Sequence, residues 1–194
     1  MALSSEFTDF YTSWMNKARP RGQADLRQAF DRFFTLYVLF NRLYAEATFR
    51  LGRRGQVQLQ NRHRFPDSEA AQEYVVQYLG AASLLRALDN DPETHRALES
   101  VRGLVCNGDF SIKLNMLTGD PQPDEDRDLG RRLADPSSNT RAAAVLETLY
   151  AVRCNMFHGH KGFHPVQLDL LRPLTLVLEK IIGTLYLKLG EDGG

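Results

Sequence analysis

The stretch F-F-T-L-Y-V-L-F-N-R-L-Y, from Phe33 to Tyr44, decides the fold class of this chain. Its aromatic residues recur every three or four positions, which is the period of one face of an α-helix. The spacing continues on both sides, so we expect a helix from about Ala24 to Leu51. A stripe of this kind is typical of a protein core or a subunit interface rather than of a surface that stacks on bases. Its members are Phe30, Phe33, Phe34, Tyr37, Phe40 and Tyr44.

Apolar spacing predicts further helices on both sides of this stretch, and no segment has a convincing strand pattern. Helices are expected over residues 5–17, 66–88 and 91–105, with polar, Gly or Pro residues at their ends. Residues 107–139 are rich in Gly and Pro. We therefore expect an irregular insertion there, with a short helical piece near residues 127–134.

Two more helices are predicted in the C-terminal third of the chain. One begins near Thr140 and ends at or just before His158. The other has Pro165 in its first turn, and Pro173 either kinks it or marks its true start. Together these patterns predict an all-α, single-domain helical bundle over the whole chain, with long second and C-terminal helices.

The composition is that of one globular domain without a membrane segment. The chain has 194 residues, of which 43% are hydrophobic and 25% charged. Its formal net charge is zero, so any attraction to nucleic acid has to come from a local patch. Two cysteines are too few for a disulfide framework, and the N-terminal residues lack a signal-peptide pattern. We therefore expect a cytoplasmic protein.

The densest cluster of polar side chains lies between Tyr150 and His164, and it includes three of the chain's five histidines. On a regular helix, Arg153 and His158 point about 140° apart, so they cannot converge on one small target. Either His158 leaves the helix at Gly159, or two copies of the segment face each other across a two-fold axis. The polar members are Arg153, Asn155, His158, His160, Lys161 and His164.

These residue types are suited to phosphodiester cleavage without a metal or another cofactor. The imidazole of His158 can take a proton from an RNA 2′-hydroxyl or give one to the leaving 5′-oxygen. Arg153 offers a planar fork to the phosphate, and Lys161 can add a second positive charge. Asn155 lies three residues before His158 and can orient the imidazole or the phosphate.

A basic connector between residues 50 and 65 contains five arginines and no acidic residue. Solvated side chains on an exposed loop are one interpretation. The other is a patch that contacts RNA phosphates, because arginine pairs with phosphate through two hydrogen bonds. The RNA contacts predicted in the connector are Arg50, Arg53, Arg54, Arg62 and Arg64. His160 and Lys161 of the polar cluster are also predicted to contact RNA.

The segment R-C-N-M-F-H-G, from Arg153 to Gly159, resembles the R-x4-6-H motif of the HEPN superfamily of α-helical domains. Gly159 and Lys161 match the F-H-G-x-K form of several HEPN families. The aromatic helix from Phe33 to Tyr44 is similar to the first long helix of these domains, and the motif has the same place before a final helix. In many members a polar residue directly follows the arginine, whereas here Cys154 does and Asn155 comes next, so the polar role is assigned to Asn155.

The resemblance implies an endoribonuclease that needs no metal and acts as a homodimer, with Arg153 and His158 of both subunits lining one cleft. Many such domains act in toxin–antitoxin pairs, in defence or in RNA processing, so an inhibitor or antitoxin protein is a possible partner. Some toxin members carry a tyrosine two residues after the histidine, which a partner nucleotidyltransferase modifies. That position is His160 here, which argues against this mode of control.

Two other functions stay open at this point. The first is a non-catalytic HEPN-like module that binds RNA, a nucleotide or a protein, in which the basic connector matters more than His158. The second is a metal site at His158, His160 and His164, with Asp169 as a further candidate ligand. Its H-x-H-x3-H spacing is not the i, i+4 pairing of zinc-binding helices. The preferred prediction is the endoribonuclease, with no metal.

Overall fold

The aromatic stretch lies in a 28-residue helix, α2 (Leu26–Arg53), and its side chains fill the core. The side chain of Asp25 caps the start of α2 by accepting the backbone N–H of Gln28 at 2.8 Å. At the other end, Gly55 has a φ of 68°, and the N–H of Gln56 bonds the carbonyl of Leu51 at 2.9 Å. Because this Schellman turn forms around Gly55, α2 continues two residues beyond the predicted end.

The computed structural model describes residues 3–19, 25–59, 63–115, 117–157 and 166–192. These ranges contain eight helices and no β-strand, which confirms the all-α prediction. One helix, α3, covers residues 67–79 and has a π-helical part, Ala70–Tyr74, between Asp67–Glu69 and Val75–Leu79. The other helices are α1 (Ser5–Lys17), α2, α4 (Ala81–Asp89), α5 (Pro92–Cys106), α6 (Pro123–Arg132), α7 (Ser138–Phe157) and α8 (Gln167–Glu191).

One predicted helix is divided in the structure. The single helix expected over residues 66–88 is divided at Gly80, whose φ of 79° is a left-handed conformation that interrupts a helix. For Pro173 the structure decides between the two alternatives: it lies inside α8, which already begins at Gln167, and so does not mark the start of the helix. Pro165, His158 and Gly159 lie outside the described residues.

The core forms around α2 and α8, which pack along each other, while α5 and α4 pack on α8. The helix α7 lies against α4 and α3. The buried apolar residues of the described ranges, apart from Leu114, belong to one continuous cluster, as expected for a single helical bundle. No helix in these ranges is long and apolar enough to cross a membrane.

The described residues between α5 and α6 are irregular, as predicted, but part of this segment packs into the core. Its side chains Phe110, Ile112 and Leu114 are buried. The carboxylate of Asp126 is also buried, and it accepts the backbone N–H groups of Ile112 at 3.0 Å and Lys113 at 2.8 Å. These bonds fold the segment onto α6, which confirms the predicted helical piece but starts it four residues earlier, at Pro123.

Glu147 joins α7 to this segment and to α6. Its carboxylate forms ion pairs with Lys113 and with Arg132, the latter through two hydrogen bonds of 2.5 and 3.0 Å. Burial raises the pKa of Glu147, but the two basic partners outweigh burial and hold its pKa below the ordinary value. The segment is therefore anchored to the helix that carries Arg153.

Candidate functional site

Arg153 lies near the C-terminal end of α7, half-buried between two aromatic rings. Its guanidinium carbon is 5.7 Å from the centre of the Tyr37 ring on α2 and 5.9 Å from that of Tyr150 on α7. Both distances lie within the range of a cation–π contact, which stabilises a positive charge on an aromatic face. The structure thus brings the predicted phosphate-binding arginine against α2 and restricts its orientation.

Asp67, the first residue of α3, places a negative charge near this arginine. The Tyr44 hydroxyl donates a hydrogen bond to Asp67, and burial together with this bond raises the pKa of Tyr44 far above its ordinary value. Burial alone lowers the pKa of Arg153, but Cys154, Tyr37 and Asp67 outweigh it and raise that pKa. The guanidinium therefore stays charged at every physiological pH.

The hydroxyl of Tyr37 is buried beside Arg153 and has no hydrogen-bond partner among the described residues. Burial raises the pKa of Tyr37 strongly, although the positive charge of Arg153 opposes this rise. The phenol therefore stays protonated and can act only as a neutral donor or acceptor. A buried polar group without a partner costs roughly 1–3 kcal/mol, and a role in a functional site is one of the explanations for such a group.

Asn155 lies on the opposite side of α7 from Arg153, about 200° around the helix axis. It is only 7% exposed, and its side-chain Nδ2 donates to the backbone carbonyl of Ile112 at 2.7 Å. This bond gives Asn155 a structural role, because it ties α7 to the segment that precedes α6. The catalytic role assigned to Asn155 from the motif stays a prediction.

The remaining polar residues of the motif lie outside the described ranges. His158, His160, Lys161 and His164 belong to residues 158–165, which the structure does not describe. The proposed catalytic and RNA-binding roles of these side chains therefore stay predictions. The same holds for the alternative metal site, of which only Asp169 is described, as an exposed residue in the first turn of α8.

Arg50 does not belong to an exposed patch, contrary to the sequence-based prediction of a basic connector. It lies in the last turn of α2, is 7% exposed, and is held by Glu46 at 2.9 Å. Its Nη1 also donates to the carbonyl of Leu189 at 2.6 Å, which joins α2 to the end of α8. The position faces the core because Arg50 follows the buried residues Leu43 and Ala47 at helical spacing on the same side of α2.

The other arginines of the connector are divided between ion pairs and solvent. Arg53 is exposed and lies 3.3 Å from Glu46, whereas Arg54 pairs with Asp192 at 3.0 Å. Arg64 is exposed, and Arg62 lies outside the described residues. Among the described positions, Arg53 and Arg64 are therefore the two best placed to contact a phosphate.

Three neighbours of Arg153 were not predicted as site residues: Tyr37, Tyr150 and Asp67. Tyr150 precedes Arg153 by three positions, so helical spacing alone places both on one face of α7. Tyr37 and Asp67 come from α2 and α3, more than 80 residues away in sequence. Only the packing of the three helices brings them to Arg153, and no local pattern indicates it.

No protein-family model matches the chain, and no curated protein or solved structure shows significant similarity to it. The resemblance to HEPN domains therefore depends on the motif from Arg153 to Gly159 and on the helical plan.

Proposed function

We propose that this protein is a metal-independent endoribonuclease of the HEPN type, whose reaction uses Arg153 and His158. The observation that carries the proposal is the Arg153 guanidinium held between the rings of Tyr37 and Tyr150, five residues before His158. An arginine that is already oriented loses less conformational entropy when a phosphate binds, and this favours a site for a charged transition state.

The chemistry is an in-line transesterification of RNA. The 2′-oxygen attacks the phosphorus while the bond to the 5′-oxygen breaks, which yields a 2′,3′-cyclic phosphate and a 5′-hydroxyl. An imidazole removes the 2′-hydroxyl proton, and a protonated imidazole supplies the proton of the leaving oxygen. Two such groups are present if His158 of two subunits face one cleft. Arg153 then stabilises the charge on the non-bridging oxygens.

A homodimer with this composite cleft is part of the proposal. Its support is the angular separation of Arg153 and His158 on a regular helix, which a second copy of the chain or a bend after Phe157 overcomes. A role in defence or in a toxin–antitoxin pair, with an inhibitor protein as partner, belongs to the same proposal. That role follows from the resemblance of the motif alone.

The test is cleavage of single-stranded RNA in the presence of EDTA. We expect Arg153→Ala and His158→Ala each to lower the cleavage rate by about 10²–10⁴-fold, the range for losing an acid–base or charge-stabilising group. Arg131→Ala is the matched control, because Arg131 is exposed on α6 and its one ion pair with a described residue is to the nearby Asp128. The mass of the wild-type particle in solution, measured on the same samples, tests the dimer. Intact RNA at stoichiometric protein would refute the proposal.

A second candidate function is a non-catalytic RNA-binding module. The bond from Asn155 to the carbonyl of Ile112 favours it, because the amide that was expected to assist His158 is engaged elsewhere. In that case RNA binding survives in His158→Ala and is lost on charge reversal at Arg53 and Arg64. No variant then affects cleavage, because the wild type does not cleave RNA.

A further inference from the structure

Two phenylalanines are exposed side by side at the end of α2 and before α3. Phe49 is 43% exposed and Phe65 is 38% exposed, whereas the aromatic stripe of α2 is largely buried. Their ring centres are 5.8 Å apart, and the ring planes meet at 55°. Phe49 lies off the core-facing side of α2, so its exposure does not come from an incomplete core.

The core holds the Phe65 ring in a fixed orientation. The ring stacks on Tyr44 with centres 6.3 Å apart and planes only 14° from parallel. Tyr44 is 1% exposed, and its hydroxyl is bonded to Asp67. One side of Phe65 is therefore covered by a rigid partner, and the exposed part of the ring is a rigid surface for stacking.

A groove beside Phe49 has the size of a ligand site. It is open to solvent, has a volume of about 710 Å³, and is lined by side chains of α2 and of the turn that follows it. This volume falls within the range of small-molecule pockets, roughly 300–1,000 Å³. The lining residues include Phe49, Arg53, Val57, Gln58 and Leu59.

Two exposed cations flank the rings. Arg53 follows Phe49 by one helical turn and lines the groove; its side chain is 65% exposed, with Glu46 at 3.3 Å as its partner. Arg64 directly precedes Phe65 and is exposed. Aromatic faces next to arginines are the combination that binds single-stranded nucleic acid, because bases stack on the rings while the cations attract the phosphates.

We infer that Phe49 and Phe65, with Arg53 and Arg64, form a subsite that stacks on an unpaired nucleobase of RNA and contacts its phosphates. An apolar peptide or a lipid surface fits less well, because cations border the rings and the groove has a polar wall. A chain of contacts connects the subsite to the candidate catalytic arginine. Phe65 stacks on Tyr44, and the Tyr44 hydroxyl is bonded to Asp67. The charge of Asp67 in turn acts on Arg153. The choice of RNA as ligand rests on the proposed function.

The experiment measures binding without cleavage. The parent protein is His158→Ala, and the probe is a single-stranded RNA 12-mer that contains 2-aminopurine, whose fluorescence falls when the base stacks. We expect Phe49→Leu and Phe65→Leu, each added to the parent, to weaken binding by roughly 5- to 100-fold, the range for losing one stacked base. Phe49→Tyr keeps the ring, so it retains the affinity and the fluorescence change.

The controls separate stacking from a general loss of surface or fold. Leu187→Ala removes a side chain that is 66% exposed on α8, and it should leave binding unchanged. A duplex of the same sequence should not respond to Phe49→Leu, because its bases are already paired and stacked. If Phe65→Leu unfolds in a thermal melt, Phe49→Leu decides the result, because Phe49 is not stacked on the core.

Two results would overturn the inference: no binding of the single strand by the parent, or equal affinities for the parent and Phe49→Leu. Failure of the proposed function has a different signature. If the wild type leaves RNA intact while binding still depends on Phe49 and Phe65, the ribonuclease is refuted and the subsite stands.

Discussion

Replacing Asn155 by Ala separates its structural role from the catalytic role that the motif suggests. The substitution removes the donor that bonds the carbonyl of Ile112 at 2.7 Å and leaves that carbonyl buried. Loss of the bond and the unpaired acceptor together cost about 1–3 kcal/mol of unfolding free energy. For a chain of this length, that lowers the Tm by roughly 2–12 °C.

The assay compares stability with activity in the same preparations. Urea unfolding followed by circular dichroism measures the free energy of unfolding, and the RNA cleavage rate is divided by the fraction of folded protein. We expect a clear loss of stability and a change in rate per folded molecule of less than about tenfold, far below the effect expected for Arg153→Ala. Asn139→Ala is the matched control, since Asn139 is exposed in the first turn of the same helix.

The reverse pattern would refute this reasoning. If Asn155→Ala unfolds at the wild-type urea concentration but cleaves RNA at least a hundredfold more slowly, its amide acts in the reaction. The bond to Ile112 would then break when RNA binds, and the role predicted from the R-x4-6-H motif would be correct.

Three further predictions concern the arginine site, pH and the turns. Tyr150→Leu should lower the cleavage rate per folded molecule about tenfold or more, whereas Tyr150→Phe, which keeps the ring over Arg153, should stay near wild type. The pKa of Glu147 is lowered in the folded state, so its contribution to stability is present at neutral pH and is lost as the pH falls below about 4. The urea midpoint of wild type should therefore fall more steeply between about pH 5 and pH 3 than that of Glu147→Gln. Parallel curves for the two proteins would contradict this. Gly80→Ala, at a φ of 79°, should lower the free energy of unfolding by about 1–2 kcal/mol. Gly183→Ala lies inside α8, where an added methyl meets nothing within 4 Å, and should raise the free energy of unfolding by about 0.4–1 kcal/mol. Equal urea midpoints for the two variants would contradict this prediction.

The candidate site shows how far residue spacing can predict contacts. The pair Tyr150 and Arg153 follows from helical spacing, because positions three apart lie on the same face. The partners from α2 and α3, Tyr37 and Asp67, are distant in sequence and could not be predicted. Asn155 was assigned a catalytic role by its position in the motif. No local pattern in the sequence indicates that the carbonyl of Ile112, 43 residues earlier, accepts its hydrogen bond.

The spacing of aromatic residues from Phe33 to Tyr44 by itself determined that this stretch is helical and which face of α2 enters the core. That is possible because the helical period is a property of the local backbone, and burial of the apolar face follows from the hydrophobic effect. Tertiary structure alone decided that Arg50 bonds the end of α8 and that Phe49, its neighbour in sequence, lies beside Phe65. Such contacts depend on which helices pack together and at what rotation, and no local pattern of residues encodes that choice.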